Sequence, residues 1–271
     1  MSSIPEHNRP RTKAIASDPE NARTGVEVAV LTDLGRQRPN NEDSSLYWEP
    51  ESGEEFARKG RLAIVADGMG GYEGGQEASR LAVETVAEIY RSSESDPQRS
   101  LLDGFAAAHQ EIQRYGTENP EFQGMGTTCT ALSIVGRQLH FAHVGDSRLY
   151  LQRTGTISRL TRDHSYVSRL VESGIVRSED AESHPQRHIL TAALGSGRDI
   201  VPDAPERSVS LEDGDQLLLC TDGLWSLVAD HELSAVLNAN RPVESCGILV
   251  QMALDRGGPD NITVVVLRIS A

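Results

Sequence analysis

The sequence predicts an α+β fold built on antiparallel sheets, and three observations carry that reading. Short apolar runs rich in Val, Ile and Thr recur along the chain and end in turns, as strands do. Longer stretches place apolar residues at three- and four-residue spacing, as amphipathic helices do, and they come in consecutive pairs. Strands thus cluster with strands instead of alternating with helices, which disfavours a parallel sheet. At 271 residues the chain stays within the size of a single sandwich or barrel.

Residues 1–24 mix Pro5, Pro10 and Pro19 with Asn and charges of both signs, without apolar periodicity, and predict a flexible N-terminal tail ahead of one domain over 25–271. The predicted strands follow as Val26–Leu31, Leu62–Ala66, Thr127–Val135, Leu139–Val144, Leu149–Gln152, Gln216–Cys220 and Ile262–Leu267. The first helix pair is expected at Gly75–Tyr90 and Ser100–Tyr115, the second at His231–Asn240 and Val243–Asp255. Between strand regions, residues from about 160 to 206 are polar and rich in turns, which suggests a flap over a site, with a plain surface insertion as the alternative.

Composition narrows the function. The chain carries 26 Lys+Arg against 40 Asp+Glu, a net charge of −14 that repels nucleic acid and anionic membrane surfaces, so neither is expected as a partner. Cys129, Cys220 and Cys246 are too few and scattered for a disulfide framework, and no C-x-x-C pair offers a zinc or redox site. No apolar run approaches the roughly 20 residues that span a bilayer, and no hydrophobic signal core stands at the start, so a cytoplasmic location is expected.

The acidic residues sit at strand ends. Asp33, Asp67 and Asp222 follow predicted strands, while Asp43 and Asp260 precede them. Each alone reads as a turn former. Together on one sheet rim they would crowd like charges that only a cation relieves. Asp67-Gly68 and Asp222-Gly223 repeat the pattern, and glycine lets the main chain approach a ligand, so the Gly68 carbonyl can join Asp67. Oxygen-only donors suit Mg²⁺ or Mn²⁺, whereas zinc asks for His or Cys. The glycine-dense stretch from Gly68 to Gly75 fails the G-x-G-x-x-G spacing, because Glu73 falls where the third glycine belongs.

Read together, the motifs resemble the PPM family, the protein phosphatase 2C type, in its bacterial form. They run in family order from about Val26 onward: Asp33-Leu34-Gly35 with Arg38 and Asn41-Glu42-Asp43; Ala66-Asp67-Gly68-Met69-Gly70-Gly71; Gly126-Thr127-Thr128; Val144-Gly145-Asp146-Ser147-Arg148. Leu160-Thr161 with Asp163-His164-Ser165, His184-Pro185, Leu194-Gly195, Thr221-Asp222-Gly223-Leu224-Trp225 and Gly258-Pro259-Asp260-Asn261-Ile262-Thr263 complete the series. The resemblance implies a sandwich of two antiparallel sheets flanked by helix pairs (αββα) with a flap insertion. It also implies a Ser/Thr protein phosphatase in which a hydroxide bridging two metals attacks phosphoserine or phosphothreonine directly.

By the same resemblance the cofactors are two tightly bound Mn²⁺ or Mg²⁺ ions, with a third, weaker ion. Asp67 would bridge the pair, Asp222 and Asp260 would hold the first ion, and Gly68 would give its carbonyl to the second. Asp43, with Glu42 beside it, would act on the second ion directly or through water, and Arg38 would grip the substrate phosphate. Asp146 matches the third-ion position, its alternative being a turn aspartate paired with Arg148. No phosphoenzyme is needed, so Ser147 and Ser165 are not expected as nucleophiles. Met69 stands where eukaryotic relatives carry a proposed acid histidine, which leaves a water on the third ion as the proton source. His143 reads as a core histidine, and His188 and Ala192 replace the Asn and Arg usual in the flap. The expected partners are phosphoproteins, as substrates of a Ser/Thr kinase or the kinase itself, met by a monomer.

Overall fold

The computed structural model describes residues 25–70, 73–181, 184–197 and 199–270. The expected flexible tail therefore lies outside the described residues, as do Gly71 and Tyr72 of the glycine-dense stretch.

Two antiparallel sheets stack face to face. One has the order β1 (Val26–Asp33), β11 (Ile262–Ile269), β10 (Gln216–Cys220), β7 (Arg148–Arg153) and β8 (Thr156–Arg159). The other runs β2 (Asp43–Trp48), β3 (Arg61–Met69), β5 (Cys129–Val135), β6 (Gln138–Val144) and β9 (Val209–Ser210), with β4 (Gly126–Thr127) paired to β3. Helices α2 (Gly74–Ser92) and α3 (Pro97–Glu118) cover the second sheet, and α6 (Asp230–Ala239) and α7 (Pro242–Asp255) cover the first. Three short α-helices, α1 (Gly53–Lys59), α4 (Tyr166–Glu172) and α5 (Asp222–Trp225), and two single 3-10 turns, Pro120–Phe122 and Ser178–Asp180, are the remaining helical elements among the described residues. The αββα architecture expected from the resemblance is the one observed.

Alternation along the strands builds the layers. In β11, Val265, Leu267 and Ile269 point between the sheets, and Ile262, Val264 and Val266 face the helices. In β3, Ala63 and Val65 point inward while Leu62, Ile64 and Ala66 meet α2 and α3. Strands buried on both faces read as unbroken apolar runs, which is why the sequence displays them so plainly.

Differences from the expected elements have local causes. The run Thr127–Val135 is interrupted at Thr128, whose hydroxyl accepts the Asp67 N–H at 2.9 Å in place of a main-chain carbonyl. Helix α3 starts three residues before Ser100 because Asp96 caps it, its Oδ1 accepting the Arg99 N–H at 3.0 Å, with Pro97 in the first turn. The polar segment 160–206 contains α4 and is pinned by bridges Ser165↔Leu190, Thr127↔Leu194 and His143↔Asp203.

Candidate metal centre

All the strand ends named above meet at one end of the sandwich. Asp67 and Gly68 close β3, Asp43 opens β2 directly opposite Asp67, Asp222 opens α5 just after β10, and Asp260 shortly precedes β11. Asp146 lies in the link from β6 to β7, which crosses from one sheet to the other. A cavity of about 730 Å³ opens at this seam, lined by Glu42, Asp67, Asp146, Asp222 and Asp260. Gly68 and Arg38 stand in the same wall.

Asp43 does not line it. Its carboxylate is buried behind, where Oδ2 accepts the Thr221 hydroxyl at 2.8 Å and Oδ1 has no partner. Burial, followed by the charges of Asp222 and Asp260, pushes it up to about 7. Asp33 is likewise outside the cavity, and its Oδ1 caps its own turn by accepting the Gly35 N–H at 2.8 Å.

Main chain packs against main chain to bring the carboxylates together. A Cβ on Gly68 would lie 1.9 Å from the Gly75 carbonyl oxygen and 2.7 Å from that of Glu42, so only glycine lets β3, α2 and the start of β2 touch. Gly68 and Gly75, at the two ends of the glycine-dense stretch, serve this contact between backbones. Thr128 fixes the Asp67 peptide from the other side and shares a hydrogen bond of 2.7 Å with Ser147. Ser147 is fully buried there, which leaves it no path to attack a substrate.

Sequence reasoning gave Asn261 no role of its own, yet it ties two loops of the site together. Its Nδ2 donates to the carbonyls of Leu34 and Asn40 at 2.8 and 3.0 Å, and its Oδ1 accepts the Glu42 N–H at 2.8 Å. The signal available was position: an Asn beside a strand-end Asp, at a place where two chain segments must be joined. His188 was also noted only as a departure, and its Nδ1 stands 3.8 Å from Asp222 Oδ2 in the cavity wall.

Asp146 is held by its main chain, whose carbonyl accepts Trp225 Nε1–H at 2.9 Å. The alternative pairing with Arg148 is not made. Arg148 grips Asp163 through two bonds of 3.0 and 2.7 Å and stacks on Trp225 at 3.6 Å, a buried pair whose truncation on one side costs about 3–5 kcal/mol. His143 is fully buried away from the cavity, its Nδ1 sharing a 2.8 Å bond with Thr130 and its Nε2 one of 3.0 Å with the Arg162 carbonyl. It is a satisfied core residue.

The donor chemistry suits hard divalent cations. The cavity offers carboxylates and the Gly68 main chain, with no cysteine, and Asp222 Oδ1 is buried without a partner. Burial raises the Asp67 carboxyl well above its usual range, and the charges of Asp43, Asp222, Asp146 and Asp260 raise it further. Burial and Asp222 do the same to Asp146. A cation would relieve that strain. Among the described residues, no three His, Cys, Asp or Glu side chains already close on one point as a finished ion site. The carboxylates instead face a shared hollow, and Arg38 Nη2 holds Asp260 Oδ2 at 2.7 Å.

A four-layered sandwich with a carboxylate-lined cavity and an arginine at its mouth defines a class: phosphate-ester hydrolases that depend on divalent cations. The sequence profile of the family described as protein phosphatase 2C matches residues 39–247, and the chain belongs to that family. It is 35% identical over 247 residues to protein phosphatase PhpP of Streptococcus pneumoniae, covering 89% of this chain and 97% of that one. The crystal structure of the Mycobacterium tuberculosis serine/threonine phosphatase PstP/Ppp superposes with a TM-score of 0.81 at 35% identity, over 91% of this chain and 100% of that one. A catalytic domain of PstP in complex with two manganese ions superposes with a TM-score of 0.79 at 33% identity, over 91% and 99% of the two chains.

Proposed function

We propose that this chain hydrolyses phosphoserine and phosphothreonine in proteins, using two Mn²⁺ or Mg²⁺ ions held by Asp67, Asp222, Asp260 and the Gly68 carbonyl, with Glu42 and the buried Asp43 supporting the second ion. One observation carries the reading: residues from distant parts of the chain bring five carboxylates and Arg38 to a single cavity at the seam of the sheets. Bound cations would supply an acidified water as nucleophile and neutralise charge on the phosphoryl group. Arg38 supplies a planar fork for the phosphate oxygens. Asp146, in the same wall, would hold a weaker third ion whose water would give the leaving oxygen its proton. The substrates in this reading are phosphoproteins made by a Ser/Thr kinase, or that kinase itself, met by a monomer in the cytoplasm. The net charge of −14 supports the exclusion of nucleic acid and anionic lipid, and no helix among the described residues is long and apolar enough to cross a membrane.

The test is chelation followed by add-back. Chelated protein should be inactive on a phosphothreonine peptide and on p-nitrophenyl phosphate, and Mn²⁺ or Mg²⁺ should restore both activities. Asp222→Asn should lower kcat by several orders of magnitude under saturating Mn²⁺, since it removes charge the ions need. Full turnover after exhaustive chelation, or near-normal turnover in the variant, overturns the assignment.

A further inference from the structure

Arg38 and Asp260 lie 222 residues apart in sequence and are joined by design of the backbone. The Arg36 N–H donates to the Gly258 carbonyl at 2.7 Å, and Asn261 holds Leu34, Asn40 and Glu42 as described. Gly35, at φ +76°, packs so closely that a Cβ there would lie 2.1 Å from the Asp260 carbonyl oxygen. The loop bearing Arg38 is therefore fastened to the loop bearing Asp260, which keeps the two side chains within reach of each other while leaving them free to part.

The carboxylate is divided between two partners. Asp260 Oδ1 accepts the Asn261 N–H at 2.9 Å, and Oδ2 takes Arg38 Nη2 at 2.7 Å. The hydrogen bond to Asp260, helped by the charges of Asp260, Glu42 and Asp67, keeps the Arg38 pKa above that of a free arginine. The guanidinium thus already answers the negative charge of the cavity.

We infer that Arg38 is a resident counter-charge that a divalent cation must displace from Asp260, so that loading the metal centre and releasing Arg38 to the substrate phosphate are one switch. The inference rests on the proposed role of Asp260 as a metal ligand. A dication drawn to Oδ2 repels the guanidinium, and a phosphate beside it offers the freed fork two oxygens in place of one. Both events draw on the same broken ion pair, so their coupling is reciprocal. The pair is half-exposed, with side-chain exposures of 46% and 30%, which limits its hold on Asp260 to the modest range of surface ion pairs.

Calorimetric titration of Mn²⁺ into the chelated full chain, without phosphate or substrate, tests this apart from activity. Arg38→Ala should bind Mn²⁺ about fivefold more tightly than the wild type, because the competitor is gone. Arg38→Lys, which keeps a cation able to hold one oxygen, should stay near the wild type. Arg187→Ala is the control for the general field, since Arg187 lines the same cavity and makes no ion pair among the described residues; it should leave the affinity unchanged. Unchanged or weaker Mn²⁺ binding in Arg38→Ala, or equal tightening in Arg187→Ala, overturns the switch while leaving the metal centre standing. A wild-type chain that takes up no Mn²⁺ overturns both.

Discussion

Asp146 and His143 show how two polar residues a short distance apart in sequence acquire opposite roles from their surroundings. Asp146 faces the cavity while Trp225 fixes its main chain, so Asp146→Ala should keep the fold. We expect it to lose about a hundredfold more activity on a phosphothreonine peptide than on p-nitrophenyl phosphate, whose leaving group needs no proton. Equal losses on both substrates would remove Asp146 from leaving-group chemistry. His143 is instead a neutral ring in the core, with burial, and then the charge of His164, lowering its pKa from 6.5 to about 4. Above pH 6.5 the ring is neutral in both the folded and the unfolded chain. Between pH 6.5 and 4 the unfolded chain binds the extra proton, so the fold loses stability as pH falls, by an amount on the order of 3 kcal/mol. The difference in unfolding free energy between wild type and His143→Gln should therefore shrink across that window, and a pH-independent difference would contradict the assignment.

Elements differ in how openly the sequence announces them. Strands β3, β10 and β11 were legible because both of their faces are buried, and the helix pairs because one face of each is apolar. Strand β8 was not, since Thr156–Arg159 is mostly exposed and carries no apolar pattern, and α4 buries only Val167. For the candidate site, the position of Asp67, Asp222 and Asp260 at strand ends could be read directly, as could the glycines that follow Asp67 and Asp222. What could not be read was the contact between loops: Asn261 bonding Leu34 and Asn40, or Thr128 bonding the Asp67 peptide, depends on pairing across the fold that no local pattern records. The junction of β3 with α2 makes a direct test. Gly68→Ala must move one backbone from the other, which we expect to cost about 3 kcal/mol or more, and to weaken Mn²⁺ binding in whatever protein remains folded. A variant with unchanged thermal midpoint and Mn²⁺ affinity would show that the contact is dispensable.

At the scale of the molecule, the cavity is charge stored against the fold. Asp43 and Asp146 are buried and Asp67 is half-buried between them in the cavity wall, and each is pushed toward its protonated form. Cation binding should therefore raise the thermal midpoint of chelated protein, by roughly 5–10 °C at a hundredfold excess of Mn²⁺ over its dissociation constant. The Asp222→Asn variant should respond far less, and an equal response would place the stabilising ion elsewhere. The strand order has a further consequence for how the protein comes into being. Strand β11 is the shared neighbour of β1 and β10, yet it is drawn from residues 262–269, while β1 leaves the ribosome more than two hundred residues earlier. Until that segment emerges, β1 has no partner in its sheet and β10 lacks one side. A chain that stops short of β11 should therefore be inert, so that during synthesis no phosphate ester is at risk until the sheet can close around this strand.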